Sequence, residues 1–231
     1  MAPYAVGIFF QANTVKGYEA WDKTGVVANE LSTRFAKISY GPLGLVCESP
    51  VDPKDYLLQV RVNVQHILLS FLPRARFDTI QRESVNRVEW IAKATNVTEF
   101  SRLGLRTQLI WGRESEEQAS HEIRDRFLSV QMHGWSALGV VQSGELALNV
   151  EIEDLIARVA LQPAKRNPDE KTASNLEESA PEFGIMLDVD IAKNGNTYYT
   201  DLQSYFRRCE RVLYEHIIPH IERQFEGGIV T

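Results

Sequence analysis

The chain has 231 residues, of which 44% are hydrophobic and 24% charged, so it can bury a sizeable core as one domain or as two small ones. Its formal charge of −6 gives none of the overall basic balance that advertises nucleic acid, although a local basic patch is compatible with it. The longest apolar stretch, Ile67-Leu68-Leu69, is broken by Ser70 and is far too short to span a bilayer.

Val6 to Phe10 is apolar and β-rich. Tyr18, Trp21, Ala28, Leu31 and Phe35 follow at three-, four- and seven-residue spacings, which predict one amphipathic helix with Gly25 inside it. Gly41-Pro42-Leu43-Gly44 signals a turn. From Tyr56 to Val64 the chain alternates, with Leu58, Val60, Val62 and Val64 on one face and Gln59, Arg61 and Asn63 on the other. His66 to Leu72 reads as a central strand ended by Pro73. Asp78 with Gln81 predicts the start of a helix that carries Ile80, Val88 and Ile91 inward and stops near Asn96.

The same order then recurs. From Arg102, a strand places Leu103, Leu105, Thr107, Leu109 and Trp111 on one face and Arg102, Gly104, Arg106 and Gln108 on the other. Ser115 and Gln118 make a capping box for a helix with Ala119, Ile123, Phe127 and Val130 inward. Strands are expected over 137–142, 145–152 and 156–162. Pro163 to Pro181 is almost devoid of apolar residues and reads as a mobile insertion. Phe183 to Ile191 is a strand. Thr200 and Gln203 then predict the cap of a long helix whose stripe includes Leu202, Phe206, Cys209, Leu213, His216, Ile217, His220, Ile221 and Phe225, closed by Gly227 and Gly228.

The expected fold is therefore α+β: two similar β-α-(β)n-α halves, 1–97 and 98–231, whose antiparallel sheets are covered on one face by helices. The opposite sheet face stays open to a partner.

Asp188 and Asp190 lie at i and i+2, so both carboxylates share the face away from the core and could hold Mg²⁺ for phosphoryl chemistry. No third ligand stands at motif spacing, and Lys193 misses the nuclease spacing by one residue, which turns its side chain to the other face. Arg102 and Arg106 flank Gly104 on an outer face, where guanidinium forks suit phosphates or a partner's carboxylates. Pairing with Asp188 or Asp190 is the structural reading of the same arginines. His216 and His220 stand at i, i+4 but lack the glutamate of HExxH, and Pro219 lies between them, so buried core histidines are expected. Arg207, Arg208 and Arg211 alternate with Glu210 and Glu215, as on an exposed helix face. No common nucleotide, hydrolase or zinc-ribbon motif occurs, and the two cysteines, Cys47 and Cys209, have no CxxC partner. No metal or cofactor is expected. The start, Met1-Ala2-Pro3-Tyr4, does not read as a signal peptide, so a cytoplasmic, reduced chain is expected.

Arg102-Leu103-Gly104-Leu105-Arg106, Met186-Leu187-Asp188-Val189-Asp190 and the closing Phe225-Glu226 resemble a group of sporadically distributed bacterial proteins of uncharacterised function. In that group an R-x-GLR strand, a late acidic strand, a long amphipathic helix and a final FE pair recur in this order. Thr107-Gln108 departs from the aromatic and asparagine that often follow the arginine strand there. The resemblance covers mainly 99–231 and implies a patchily inherited accessory gene, of the kind found beside defence or toxin–antitoxin partners. It supplies no catalytic residue.

The leading expectation is a non-catalytic protein-interaction or regulatory subunit, binding through Arg102, Arg106, Asp188 and Asp190 to a protein partner encoded nearby. A homo-oligomer is compatible with it, and no membrane association is expected. One alternative is a nucleic-acid-binding module on the open sheet faces, with Arg61, Arg102 and Arg106 supplying charge. The other is a metal-dependent phosphoesterase using Asp188 and Asp190. The insertion itself makes a testable expectation. Limited proteolysis should nick Pro163–Pro181 first and leave two fragments that stay associated; rapid cleavage elsewhere, with this stretch protected, would contradict it.

Overall fold

Period-two burial runs through strands such as His66–Phe71 and Leu155–Lys165, and it decides which side of the sheet becomes core. The structure, a computed structural model, describes residues 3–41, 44–128, 144–165 and 181–227. In chain order the described elements are β1 (Tyr4–Thr14), α1 (Gly17–Asp22), α2 (Thr24–Leu31), β2 (Phe35–Gly41), β3 (Gly44–Pro50), β4 (Leu57–Val62), β5 (His66–Phe71) and α3 (Phe77–Thr95). They continue with β6 (Glu99–Arg113), α4 (Glu116–Ile123), β7 (Leu146–Ile152), β8 (Leu155–Lys165), β9 (Phe183–Tyr198), α5 (Leu202–Arg211) and α6 (Ile218–Phe225). The strands form one sheet in the order β2-β3-β4-β5-β1-β6-β9-β8-β7. The fold is α+β. Counting outward from the adjacent β1 and β6, one sequence half runs β1-β5-β4-β3-β2 and the other β6-β9-β8-β7.

By packing, the chain divides into two compact units, each drawing on both sequence halves. One comprises Gly7–Arg106 and Ile191–Cys209; the other comprises Met1–Val6, Thr107–Asp190 and Glu210–Thr231.

In the first of these, β2, β3, β4, β5 and β1 pair antiparallel in that order. Register aligns Cys47, Val60, Leu69 and Phe10 in one row across four strands, and Leu45, Val62, Ile67 and Ala12 in the next. All eight are fully buried. Phe206 of α5 packs at a tilt on Phe10 with ring centroids 4.9 Å apart, and Tyr205 lies 6.2 Å from the same ring. The Tyr205 hydroxyl donates to the Ile191 carbonyl at 2.6 Å, so its polar end is satisfied inside the core. From α3, Ile80, Val88 and Ile91 are buried as their spacing predicts.

Several local expectations are corrected here. The single helix expected after β1 is two, α1 and α2, broken at Lys23, where the Thr24 hydroxyl donates to the Trp21 carbonyl. The break turns Tyr18 and Trp21 outward, 67% and 38% exposed, and Ala20, Val27, Ala28 and Leu31 make the inner face. An irregularity in the pairing of β4 between Leu57 and Gln59 buries Leu57 in place of Leu58, and Val64 lies beyond the strand, exposed. The N-cap of α3 is Arg76, without a side-chain cap, and Asp78 sits in the first turn where its charge complements the helix dipole. Asn96 ends α3 in the left-handed conformation (φ 62°), where the expectation placed the stop. Gly17 is required by crowding: a Cβ there would overlap the Val64 carbonyl.

In the second unit, the expected inward faces of β6 and β9 hold, with Leu109, Trp111, Ile185, Leu187 and Val189 buried. The Ser115 hydroxyl accepts from the Gln118 amide, and the Gln118 side chain accepts from Glu114 N–H, one residue outside the expected box. Strands β7 and β8 pair antiparallel from Leu146 opposite Leu161 to Ile152 opposite Leu155. The expected strand at 137–142, Val130, Gly228 and most of the expected insertion (166–180) lie outside the described residues.

The closing helix departs from its expected register. Its start is capped by Asp201, whose carboxylate accepts from Tyr198 N–H at 3.2 Å, not by Thr200 with Gln203. Between α5 and α6, Val212–Ile217 forms a wider π turn, so Val212 and Ile217 share the buried side at a spacing of five. Pro219 lacks an amide and its ring displaces the carbonyl four residues earlier, which is what a π bulge accommodates. The extra residue carries His216 and His220 off the apolar stripe; both are exposed, not core. Gly227 (φ 82°) follows the Glu226 C-cap as expected. Phe225 is clamped by Trp111 at 5.3 Å, Phe127 at 5.5 Å and the Arg113 guanidinium at 5.0 Å.

Phe206→Ala should lower unfolding free energy by about 3–5 kcal/mol in urea titrations, because a fully buried ring is lost next to Phe10. Tyr18→Ala, on the stripe expected from spacing alone, should cost less than about 1 kcal/mol.

Candidate functional site

Alternation that sends one row of each strand into the core sends the next row to the opposite side. In the Gly7–Arg106 unit, register places Val46, Arg61, Leu68 and Gln11 side by side on β3, β4, β5 and β1. Glu48, Gln59, Ser70 and Phe9 form the neighbouring row. Asn13 pairs with His66 at the end of the same surface. All these side chains are partly exposed, whereas their core-facing neighbours Phe10, Val60 and Leu69 are at 0%. Half of the sheet surface in this unit is therefore not buried under a helix. It mixes hydrogen-bonding groups with apolar ones, a composition suited to a partner surface.

The charges on this face are unevenly matched. The Lys37 ammonium contacts Glu48, and Gln59 donates to the same carboxylate at 3.3 Å; the lysine contact is the main reason that the Glu48 carboxyl is held below its usual range. Asn63 Oδ1 accepts from the backbone amides of Gln65 and His66, both at 2.8 Å, which fixes the β4–β5 hairpin. With its oxygen occupied, Asn63 Nδ2 can only donate towards His66 Nε2, 3.4 Å away. Burial, then the positive charge of Arg61, lowers the His66 pKa and favours its neutral form.

The site residues expected from sequence fall on two neighbouring strands, β6 and β9. Arg102 is half-buried and Arg106 exposed; alternation with buried Leu103 and Leu105 puts both on the outer face of β6. The space above Gly104 is taken by Arg102 itself, since a Cβ at Gly104 would collide with its guanidinium. The glycine thus lets an arginine lie along its own strand. Asp188 and Asp190 are half-buried on β9, and Gln108 Nε2 lies 3.5 Å from Asp188 Oδ2. Each of the four takes part in at least one polar or electrostatic interaction. Among the described residues no group of three or more His, Cys, Asp or Glu side chains gathers as a metal site. The thiol of buried Cys47 is pushed up to about 11 by burial, as for an inert core cysteine.

Spacing gave no sign of the ion network at the corner of this sheet. Arg34, leading into β2, grips Asp55 through two hydrogen bonds of 2.5 and 2.7 Å and donates to Glu83 of α3 at 2.9 Å. Burial pushes the Asp55 carboxyl up, but the hydrogen bonds from Arg34 and the Leu57 amide, with the nearby charge of Arg87, hold it below its usual value. The Arg87 pKa is lowered by burial and by Arg34, against the acids Glu83, Glu30 and Asp55. The partners stand 21 and 49 residues from Arg34, so no local pattern could reveal them.

A surface cleft of about 200 Å³ opens elsewhere in the unit, lined by Lys16, Glu19, Asn96, Thr98 and Glu99 among others. It carries charges of both signs and no cluster of catalytic groups. Among the described residues no helix is long and apolar enough to cross a membrane. Comparisons with protein-family profiles, curated proteins and solved structures returned no match to this chain.

The Arg34 network yields a pH dependence of known sign. Asp55 is depressed in the folded state, so its contribution is present above the unfolded carboxyl pKa, near 3.9, and is lost as pH falls through the lower folded value. Urea stability measured from pH 7 to 2.5 should therefore decline below about pH 4, and Asp55→Asn should flatten that decline. The same variant should cost about 1.5–3 kcal/mol at pH 7, where Arg34 loses its charged partner.

Proposed function

We propose that this chain is a non-catalytic interaction protein that receives a partner on the helix-free face of its sheet. The observation that carries this reading is the continuous set of part-exposed rows on β3, β4, β5 and β1, polar and apolar side by side, behind a core face that is fully buried. Arg102 and Arg106 extend the surface onto β6 with cationic groups. The family resemblance adds the setting: a cytoplasmic subunit of a bacterial defence or toxin–antitoxin-type complex, with the partner encoded nearby.

Nucleic acid is the second reading, favoured by Arg61, Arg102 and Arg106 lying on outward rows of one unit and opposed by the net charge of −6. Phosphate contacts would appear as retention on a DNA or RNA column that collapses steeply with salt. The phosphoesterase alternative rests on Asp188 and Asp190 alone; activity that depends on Mg²⁺ or Mn²⁺ would support it.

The deciding measurement is partner capture from the native host by wild type and by the Arg102→Ala, Arg106→Ala double variant, each with its melting temperature. Exposed charges contribute roughly 0.2–1 kcal/mol to stability, so the variant should melt within a few degrees of wild type while the partner is lost. Unchanged capture would remove these arginines from the surface, and a large drop in melting temperature would make them structural.

A further inference from the structure

We infer that the chain forms a two-fold dimer through β7, which pairs antiparallel with the β7 of a second copy about an axis at Asn149. The inference goes beyond the proposed function, because it concerns another surface and takes this chain itself as the partner.

Its basis is an edge strand left incomplete in two respects. β7 pairs with β8 from Leu146 opposite Leu161 to Ile152 opposite Leu155, and among the described residues no strand pairs with its other edge. Every second residue of such a strand turns its N–H and C=O towards the unpaired side. β7 also carries an apolar row, Leu146, Leu148, Val150 and Ile152, on the same face as Leu161, Val159, Ala157 and Leu155 of β8. On β8 that row is core, with Ala157 at 0% and Val159 at 6% exposure. One strand further out, Leu148 is 46% and Val150 38% exposed. The apolar layer that is core at β8, where α4 packs, therefore runs on past its cover. β2, at the opposite end of the strand order, carries the exposed Lys37, a residue type that commonly blunts an edge. β7 has no lysine, arginine, proline or glycine in its seven residues.

The strand is complementary to itself. An axis at Asn149 sets Leu146 opposite Ile152 of the second copy, Leu148 opposite its Val150, and Ala147 opposite its Glu151. The whole strand is then paired, the two apolar rows join on one face, and no carboxylate within the strands meets its equivalent. Asn149 meets Asn149 of the second copy, and an amide side chain has both a donor and an acceptor for that contact. Moving the axis to Leu148 sets Glu151 against Glu145, and moving it to Val150 leaves two residues of each strand unpaired. An odd shift turns the apolar row of one copy to the polar face of the other. The ion pair between Glu153 and Arg211 holds the β7–β8 turn, so the edge is in place before docking. One strand pair is a small interface, so dimer and monomer exchange and concentration governs the balance.

The test follows the full-length chain by sedimentation equilibrium from micromolar to millimolar concentration, with amide hydrogen exchange read at both ends of the range. The expected result is a rise from one chain to two, with protection of β7 amides rising in step. Leu148→Lys, at an exposed position, should weaken association by about tenfold or more while the melting temperature stays within a few degrees. Asn149→Lys and Asn149→Glu should each weaken self-association, because like charges then stand directly opposite, and an equimolar mixture of the two should associate more tightly than either alone. Tyr40→Lys, an exposed site on β2, should change nothing. A monomer throughout the range overturns the inference, and β7 amides protected in that monomer would give the edge to another segment of the same chain. Assembly beyond two chains, a dimer indifferent to Leu148→Lys, or a mixture no tighter than its components overturns it as well.

Discussion

Phe10 packed against Tyr205 and Phe206 is the contact on which the Gly7–Arg106 unit depends. Three aromatic rings, all fully buried, fix α5 to β1, the end strand of the β2–β1 ladder. Rings of this size dominate core energetics, and their tilted and edge-on geometry adds to simple area burial. Because the strand period is two, choosing the side of Phe10 chooses the side of Cys47, Val60 and Leu69 in the same row. The other side is then committed to solvent or to a partner. An open face is thus a consequence of where the aromatics pack, independent of any functional assignment.

The corner clamp shows how the fold handles a part-buried arginine. At the corner, Arg34 joins the lead-in to β2, the lead-in to β4 and helix α3 through carboxylates that are themselves part-buried. A charge removed from water is tolerable there because its hydrogen bonds are nearly complete. The second unit repeats the arrangement with Glu122 between Arg113 and Arg126, and the Arg113 guanidinium also lies on the Phe225 ring. The closing phenylalanine of the FE pair therefore has a structural duty: it locks α6 against β6 and against Phe127 in the π turn that follows α4.

Where the chain is regular, its sequence was readable. The alternation of β6 placed Leu103, Leu105, Thr107, Leu109 and Trp111 inward, and all five are buried. The stop of α3 near Asn96 followed from composition, and the left-handed cap explains it. Failures cluster at irregularities that a fixed period cannot carry. One irregular pairing in β4 exchanged Leu58 for Leu57, and one π turn near Pro219 expelled two histidines from an otherwise correct stripe. Trp21 and Tyr18 matched a helical spacing, but a helix break at Lys23 put them on the wrong side. The strands β2 and β3 were signalled only by their turn, because β2 is an edge strand whose side chains are mostly exposed and need no alternation. As for the site, which face is outward was legible; which arginine is clamped into the fold was not, since Asp55 and Glu83 meet Arg34 only in three dimensions.

Net charge misleads about such a surface. The chain carries −6 overall, yet the open rows of this unit hold Arg61, Arg102 and Arg106 against Glu48, which is already neutralised by Lys37. Acids elsewhere serve structure or solubility: Asp55 and Glu83 clamp Arg34, while Glu116 and Glu117 sit in the first turn of α4, where the helix dipole favours them. Fields are local at physiological salt, where charges more than about 8 Å apart are largely screened. A partner docking on this face is thus governed by the few groups around its contact and scarcely at all by the global excess.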